Sequence, residues 1–108
     1  MQLRTIEEIE IDQMGRLLVR PELVGGESYA MIYRAANGLR WDSKEKAIRA
    51  SEPERWTHSE LLHHVVRALA GECGTTLQVS DSTRWINVSE EQVAALIAAA
   101  ASEGSADV

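Results

Sequence analysis

"THSELLHHVVRAL", residues 57–69, decides how the rest of the chain is read. Thr57 and Glu60 have the spacing of a capping box, in which each side chain satisfies a free backbone N–H of the first helical turn. At about 100° per residue, Leu61, Leu62, Val65, Val66 and Leu69 fall on one stripe, with Glu60, His63, His64 and Arg67 on the opposite face. The spacing predicts an amphipathic helix that opens at Thr57 and is closed by Gly71 or Gly74. Its apolar stripe needs a surface to cover, and the flanking segments read as short strands that supply one.

Toward the N-terminus, "TIEEIEID" (5–12) alternates Ile9 and Ile11 with Glu8, Glu10 and Asp12, the period of a half-buried strand. Gln13-Met14-Gly15 supplies a turn, and "RLLVRP" (16–21) returns as a second strand that stops at Pro21, which cannot donate to a sheet ladder. "YAMIYRAA" (29–36) is apolar on both alternating faces, as a central strand is, and Asn37-Gly38 is a strong hairpin-turn signal leading into "LRW". "DSKEKAIRASEPER" (42–55) is charged with few apolar anchors and reads as an exposed loop with one helical turn at 44–50.

Toward the C-terminus, "TLQVS" and "RWINV" read as a strand pair joined across Asp81-Ser82. Ser89 and Gln92 form a second capping box ahead of the alanine-rich "VAALIAAAA", and the tail at 102–108 is polar enough to be disordered. The fold class expected is α+β: a small, mainly antiparallel sheet of about six short strands with two helices on one face, in the order ββ-ββ-α-ββ-α. Residues 1–101 form one domain, and no repeat or linker divides them.

Composition narrows the function. A 108-residue chain that is 44% apolar affords a modest core, so burial of further surface by self-association into a homo-oligomer is expected. The formal net charge of -6 repels phosphate backbones, which makes nucleic acid an unfavourable partner. One cysteine, Cys73, excludes an intramolecular disulfide and a cysteine zinc site, and it reads as a buried apolar group. The N-terminal run is acidic where a signal peptide is apolar, and no stretch approaches the ~18 apolar residues of a membrane span, so a cytoplasmic protein with no membrane partner is expected.

The histidine-rich stretch invites a metal reading that its spacing does not support. His58 and His63 are five apart, about 140° around a helix, where a His-Glu-x-x-His site needs histidines four apart on one face. Glu60 and His63 match the Glu-x-x-His half of a carboxylate-bridged di-iron site, but no second pair of donors exists elsewhere. No metal and no cofactor are expected. "VGGES" lacks the lysine and helix pattern of a phosphate loop. The enzyme alternative reduces to Glu60 with His63 or His64 as an acid–base pair in a cleft under the 42–56 loop.

Each of the three tryptophans follows an arginine: Arg40-Trp41, Arg55-Trp56 and Arg84-Trp85. A two-residue Asn37-Gly38 turn sets Trp41 across from Arg34, where the guanidinium can lie over the indole. Trp56 stands just before the capping box, from which an apolar side chain staples against Leu61. Alternation puts Trp85 with Thr83 and Asn87 on a polar sheet face opposite Ile86 and Val88, where it needs a cover: the last helix, another subunit or a ligand. Arg40, Trp41, Trp56, Arg84 and Trp85, with Tyr29 and Tyr33 as pocket-lining aromatics, are the candidate binding residues for a protein partner or a small apolar ligand.

The short strands, the strand ending in "LRWDSK", and the helix opened by "THSE" together resemble two groups of small proteins over residues 5–88. One is the orphan proteins of integron gene cassettes. The other is the small α+β immunity proteins of bacterial toxin systems. The resemblance rests on Trp41 and the capped helix, implies a non-enzymatic protein that acts by binding, here with a toxin-like partner, and transfers no functional residue.

Overall fold

The computed structural model describes residues 2–24, 29–30, 32–35, 38–51, 56–72 and 74–105. In chain order the elements are β1 (Gln2–Ile11), β2 (Leu17–Pro21), α1 (Ile32–Ala35), β3 (Leu39–Asp42), β4 (Ala47–Ala50), α2 (His58–Glu72), β5 (Thr75–Gln78), β6 (Arg84–Ile86) and α3 (Glu90–Ser105). This is an α+β fold with a six-stranded sheet in the order β3-β4-β2-β1-β5, and β6 also pairs with β1.

The acidic alternating run forms β1, the spine of the sheet. Its register against β2 shifts between Ile6 and Glu8, and the extra residue lets Ile6 and Ile9 both face the core although they are three apart. The tight connection to β2 is held by Asp12, whose Oδ1 accepts the Met14 and Arg16 amides at 2.9 Å each. Gly15, at φ +81°, takes the left-handed conformation that this turn requires. The expected β1–β2 hairpin is therefore present.

Three expectations give way. The run at 29–36 is not a central strand: the Ile32 amide donates to the Tyr29 carbonyl at 3.0 Å, and α1 follows, with Ile32 in the core and Tyr33 and Arg34 outside. A continuous apolar run has no period with which to tell a buried strand from a short helix. Asn37 lies outside the described residues; Gly38 has φ +88°.

The predicted exposed loop is the second departure. Its residues 47–50 form β4, which pairs antiparallel with β2 through Val19 and Ile48 and with β3 from Leu39–Ala50 to Asp42–Ala47. Ala47, Ile48 and Ala50 are buried. A strand with two alanines and one arginine around a single branched residue carries a weak hydropathy signal. The turn before it is set by Asp42, whose Oδ1 accepts the Lys44 and Glu45 amides at 3.0 Å each.

The third is the expected β5–β6 hairpin. Both strands run parallel to β1 along the same side, β5 beside residues 2–5 and β6 beside residues 8–10, like one strand interrupted at 79–83. Thr83 holds the interruption: its hydroxyl donates to the Ile6 carbonyl at 2.6 Å and accepts the Ser80 amide at 3.0 Å.

α2 behaves as its sequence demands. The Thr57 amide donates to Glu60 Oε1 at 2.9 Å and the Glu60 amide to Thr57 Oγ1 at 3.1 Å, closing the capping box. All five stripe residues, Leu61, Leu62, Val65, Val66 and Leu69, are buried against the sheet. Each such side chain contributes about 1.5–3 kcal/mol relative to exposure. Gly74, at φ +64°, follows the helix end, and its carbonyl accepts the Gln2 amide at 2.9 Å, tying α2 to the start of β1. Cys73 lies outside the described residues.

α3 starts at the second capping box, where the Gln92 amide donates to Ser89 Oγ at 3.2 Å. It packs along α2 and places Leu96 in the common core. α3 runs as far as Ser105, and 106–108 lie outside the described residues. None of the described helices is long and apolar enough to cross a membrane.

Among the described residues the outer face of the sheet carries no helix and is closed by charge. Arg20 Nη1 lies 2.7 Å from Glu8 Oε2 and 2.7 Å from Glu10 Oε1, and its Nη2 lies 2.9 Å from Glu45 Oε1. Beside this cluster Leu18 and Ala47 are buried on the same face.

Candidate contact surface along the β3 edge

The histidines and glutamate that suggested chemistry are sent to separate tasks. The Glu60 carboxylate accepts the cap hydrogen bond. His63 Nδ1 lies 3.3 Å from the Ala99 carbonyl, joining α2 to α3. His64 stacks on Trp56 with ring centroids 4.6 Å apart and planes 15° from parallel. His58 Nε2 donates to the Gly15 carbonyl at 2.9 Å, joining the first turn of α2 to the β1–β2 turn. Among the described residues no group of three or more His, Cys, Asp or Glu is placed to hold a metal ion. The cavity beside His58, lined also by Arg16, Trp56 and Leu61, measures about 20 Å³, room for about one water molecule.

The aromatic candidates divide in two. Trp56 is a packing residue: besides His64, its indole covers Gly38, where an added Cβ would sit 3.5 Å from the ring. Trp85 also turns inward to pack on the core, while its neighbour Ile86 is 40% exposed, the reverse of the orientation expected from alternation. Thr83 is buried on the same side as Trp85, and beyond the strand Asn87, at φ +58°, donates its Nδ2 to the Ile11 carbonyl at 2.9 Å. Arg84 is exposed and lies 3.3 Å from Glu8 and 3.6 Å from Glu7.

The others converge. Tyr33, Arg40 and Trp41 line one open depression of about 360 Å³ with Ala30, Gly38, Leu39 and Ser51. Trp41 forms its inner wall, packed on the core and tilted against Tyr29 with centroids 5.7 Å apart and planes at 50°. Tyr33 is 55% exposed at the rim. Arg34 does not cross to Trp41 as expected, because it sits on α1; its guanidinium lies 5.8 Å from the centre of the Tyr33 ring.

Two features of this edge were not legible beforehand. The Ser51 amide donates to the Gly38 carbonyl at 2.8 Å, which fixes the hydrogen-bonding phase of the β3–β4 pair. In an antiparallel ladder the phase alternates, so the main-chain groups of Leu39 and Trp41 point away from β4, although Leu39 itself is buried. The second feature is charge. Arg16, Arg20, Arg49 and Arg84 are each ion-paired to carboxylates. Arg34 and Arg40 are exposed, and neither has a carboxylate partner among the described residues.

Comparison with known proteins follows from this geometry. A family model described as Integron Cassette Protein Hfx_Cass5 matches residues 4–83. The chain belongs to the Hfx_Cass5 family of integron cassette proteins. A solved structure from the mobile metagenome of the North West Arm sewage outfall, that of integron cassette protein Hfx_Cass5, is 34% identical over 94% of this chain and 98% of its own, with a TM-score of 0.42. No curated protein matches. The resemblance drawn from "LRWDSK" and the capped helix to integron cassette proteins therefore holds. The span shared with the Hfx_Cass5 model includes all of the depression and ends before β6 and α3.

A second groove, of about 370 Å³, lies between β5 and α3, lined by Val66, Leu77, Val79, Ile97, Ala100 and polar residues of β5. None of its lining residues is charged, and Ile97 is 44% exposed.

Proposed function

We propose that this Hfx_Cass5-family protein acts by binding rather than catalysis, and that the β3-edge depression is its contact surface. The observation that carries the reading is the convergence of Tyr33, Arg40 and Trp41 in one open depression. Aromatic and arginine side chains supply large contact area with few degrees of freedom, and they dominate the energetics of protein contacts. What speaks against the acid–base alternative is that Glu60, His63 and His64 serve a cap, a helix–helix contact and a ring stack.

The test is selection of binders from a random peptide library and an aromatic fragment set, repeated with Tyr33→Ala and Trp41→Phe. Binders that weaken by about tenfold or more with Tyr33→Ala support the reading. Binders indifferent to both substitutions contradict it.

The groove beside α3 favours a second, compatible reading, self-association. An uncharged, half-open apolar groove on a chain of net charge -6 is where two copies meet with least repulsion. Light scattering after size-exclusion chromatography tests it: a dimer that Ile97→Glu converts to monomer is expected, and a monomer at high micromolar concentration contradicts it.

A further inference from the structure

We infer that α3 is an interface helix: two copies of this chain pack their α3 helices against each other, antiparallel, about a two-fold axis that passes between Ile97 and Ala98. This rests on the reading of the groove beside α3 as a self-association surface. It deepens that reading by assigning the contact a helix, a direction and a register.

The first observation is a helix with two apolar sides and one cover. From Gln92 to Ser102 the sequence of α3 holds no Asp, Glu, Lys or Arg. Its inner side packs along α2, with Leu96 buried and Ala100 against the core. On the opposite side Ala94, Ile97, Ala98 and Ala101 are exposed, at the i, i+3, i+4, i+7 spacing that lines up one helical face. A helix that is apolar all round belongs between two layers, and the described residues of one chain supply only the inner one. Past Ile97 the uncharged surface continues into the groove, whose lining includes Val66, Leu77 and Val79.

The second observation identifies the occupant. The intervals along the exposed stripe are three, one and three residues, which read the same in both directions. A surface that must complement itself across a two-fold axis requires such a spacing. An antiparallel pair then sets Ile97 of each copy opposite Ala98 of the other, and Ala94 opposite Ala101. The one large side chain of each stripe meets small ones, so the two helices interdigitate at close distance.

Charge favours the same arrangement. Chains of net charge -6 meet with least repulsion where neither presents a charge. Glu90 and Glu91 stand in the first turn of α3. Antiparallel packing carries these acidic turns to opposite ends of the contact, whereas parallel packing sets them side by side, and the helix dipoles also oppose one another.

The test is oxidative cross-linking of the full chain carrying single introduced cysteines, read beside light scattering. A disulfide needs Cα atoms within about 7 Å. In the antiparallel register Ala98→Cys lies next to its own copy and links to it. Ala94→Cys or Ala101→Cys alone is offset from its own copy by about 10 Å along the helix axes, and the two link only when mixed. The unsubstituted chain, oxidised in parallel, accounts for Cys73, and peptide mass mapping names the linked residues. Ile97→Ala removes both copies of the large side chain at once and is expected to raise the dimer dissociation constant about tenfold or more, with helix content by circular dichroism retained.

Self-linking of Ala94→Cys or Ala101→Cys overturns the antiparallel register and leaves self-association at the groove standing. Failure of Ala98→Cys to link, in a dimer that Ile97→Glu still dissociates, does the same. A dimer indifferent to both Ile97→Ala and Ile97→Glu, or a monomer at high micromolar concentration, overturns the inference and the underlying reading together.

Discussion

The indole of Trp56 lies flat on the imidazole of His64, with centroids 4.6 Å apart and planes 15° from parallel. One ring belongs to the chain just before α2 and the other to its second turn, so the stack fixes how the chain enters the helix. Truncation by His64→Ala removes one face of the stack and should cost about 1 kcal/mol. Urea unfolding monitored by circular dichroism measures this, and a red shift of tryptophan emission in the folded state accompanies it.

Gly38 lies on the other side of that indole. A Cβ there meets Trp56 only at ordinary contact distance, 3.5 Å, so the penalty of Gly38→Ala comes from its φ of +88° rather than from collision. The expected destabilisation is about 1–2 kcal/mol. Trp56→Phe in the same background should not relieve it, which urea unfolding of the double variant checks.

The capping box separates the structural role of Glu60 from the catalytic role assigned to it in the enzyme alternative. Glutamine retains the acceptor oxygen, so Glu60→Gln should keep stability within about 0.5 kcal/mol, while Thr57→Ala loses about 1 kcal/mol. Thermal unfolding of the two variants is the measurement.

Arg20 faces Glu8, Glu10 and Glu45 at once, and removing its charge leaves three carboxylates opposed on one sheet face. Arg20→Met is expected to cost about 2 kcal/mol, less than for a fully buried pair because the cluster keeps contact with water. Adding Glu8→Gln should restore part of that loss, since the two effects share a partner. Urea midpoints of the single and double variants test this.

Two turn aspartates govern acid stability. The Glu45 amide holds the Asp42 carboxyl below its ordinary 3.8; burial opposes this, and Arg49 and the Lys44 amide add to the lowering. For Asp12, burial pushes upward but is outweighed by the Arg16 amide and guanidinium and the Met14 amide, so its carboxyl is lowered too. An unfolded chain then binds protons first as pH falls, so the stability these groups contribute is complete above pH 3.8 and is lost below it, through the lowered folded values. Asp12→Asn and Asp42→Asn should flatten the fall in urea midpoint below about pH 4.

How much of this was legible depends on whether a segment carried its own period. β1, β2 and α2 did, through alternating isoleucines and glutamates, a Pro21 stop and a capped stripe. α1 did not, because an unbroken apolar run is compatible with strand or helix. β4 was hidden because Ala47 and Ala50 are buried without being strongly apolar, and Trp85 turns inward together with Thr83, on the face whose polar neighbours suggested an exposed one. At the candidate surface, Tyr29, Tyr33, Arg40 and Trp41 were visible as side chains. Their gathering at one edge was not, because it depends on β4 displacing the expected partner strand and on α1 lifting Tyr33 and Arg34 beside β3.

The central claim is that the β3 edge, and not another part of the molecule, makes the contact. Amide and indole chemical-shift mapping of the ¹⁵N-labelled protein, titrated with the tightest peptide selected from the library, tests it most directly. The account predicts that shifts gather at Ala30, Tyr33, Gly38, Arg40, Ser51 and the Trp41 indole. Shifts gathered at Ile97, Ala100 and Ala101, or at Glu60 and His63, would contradict it.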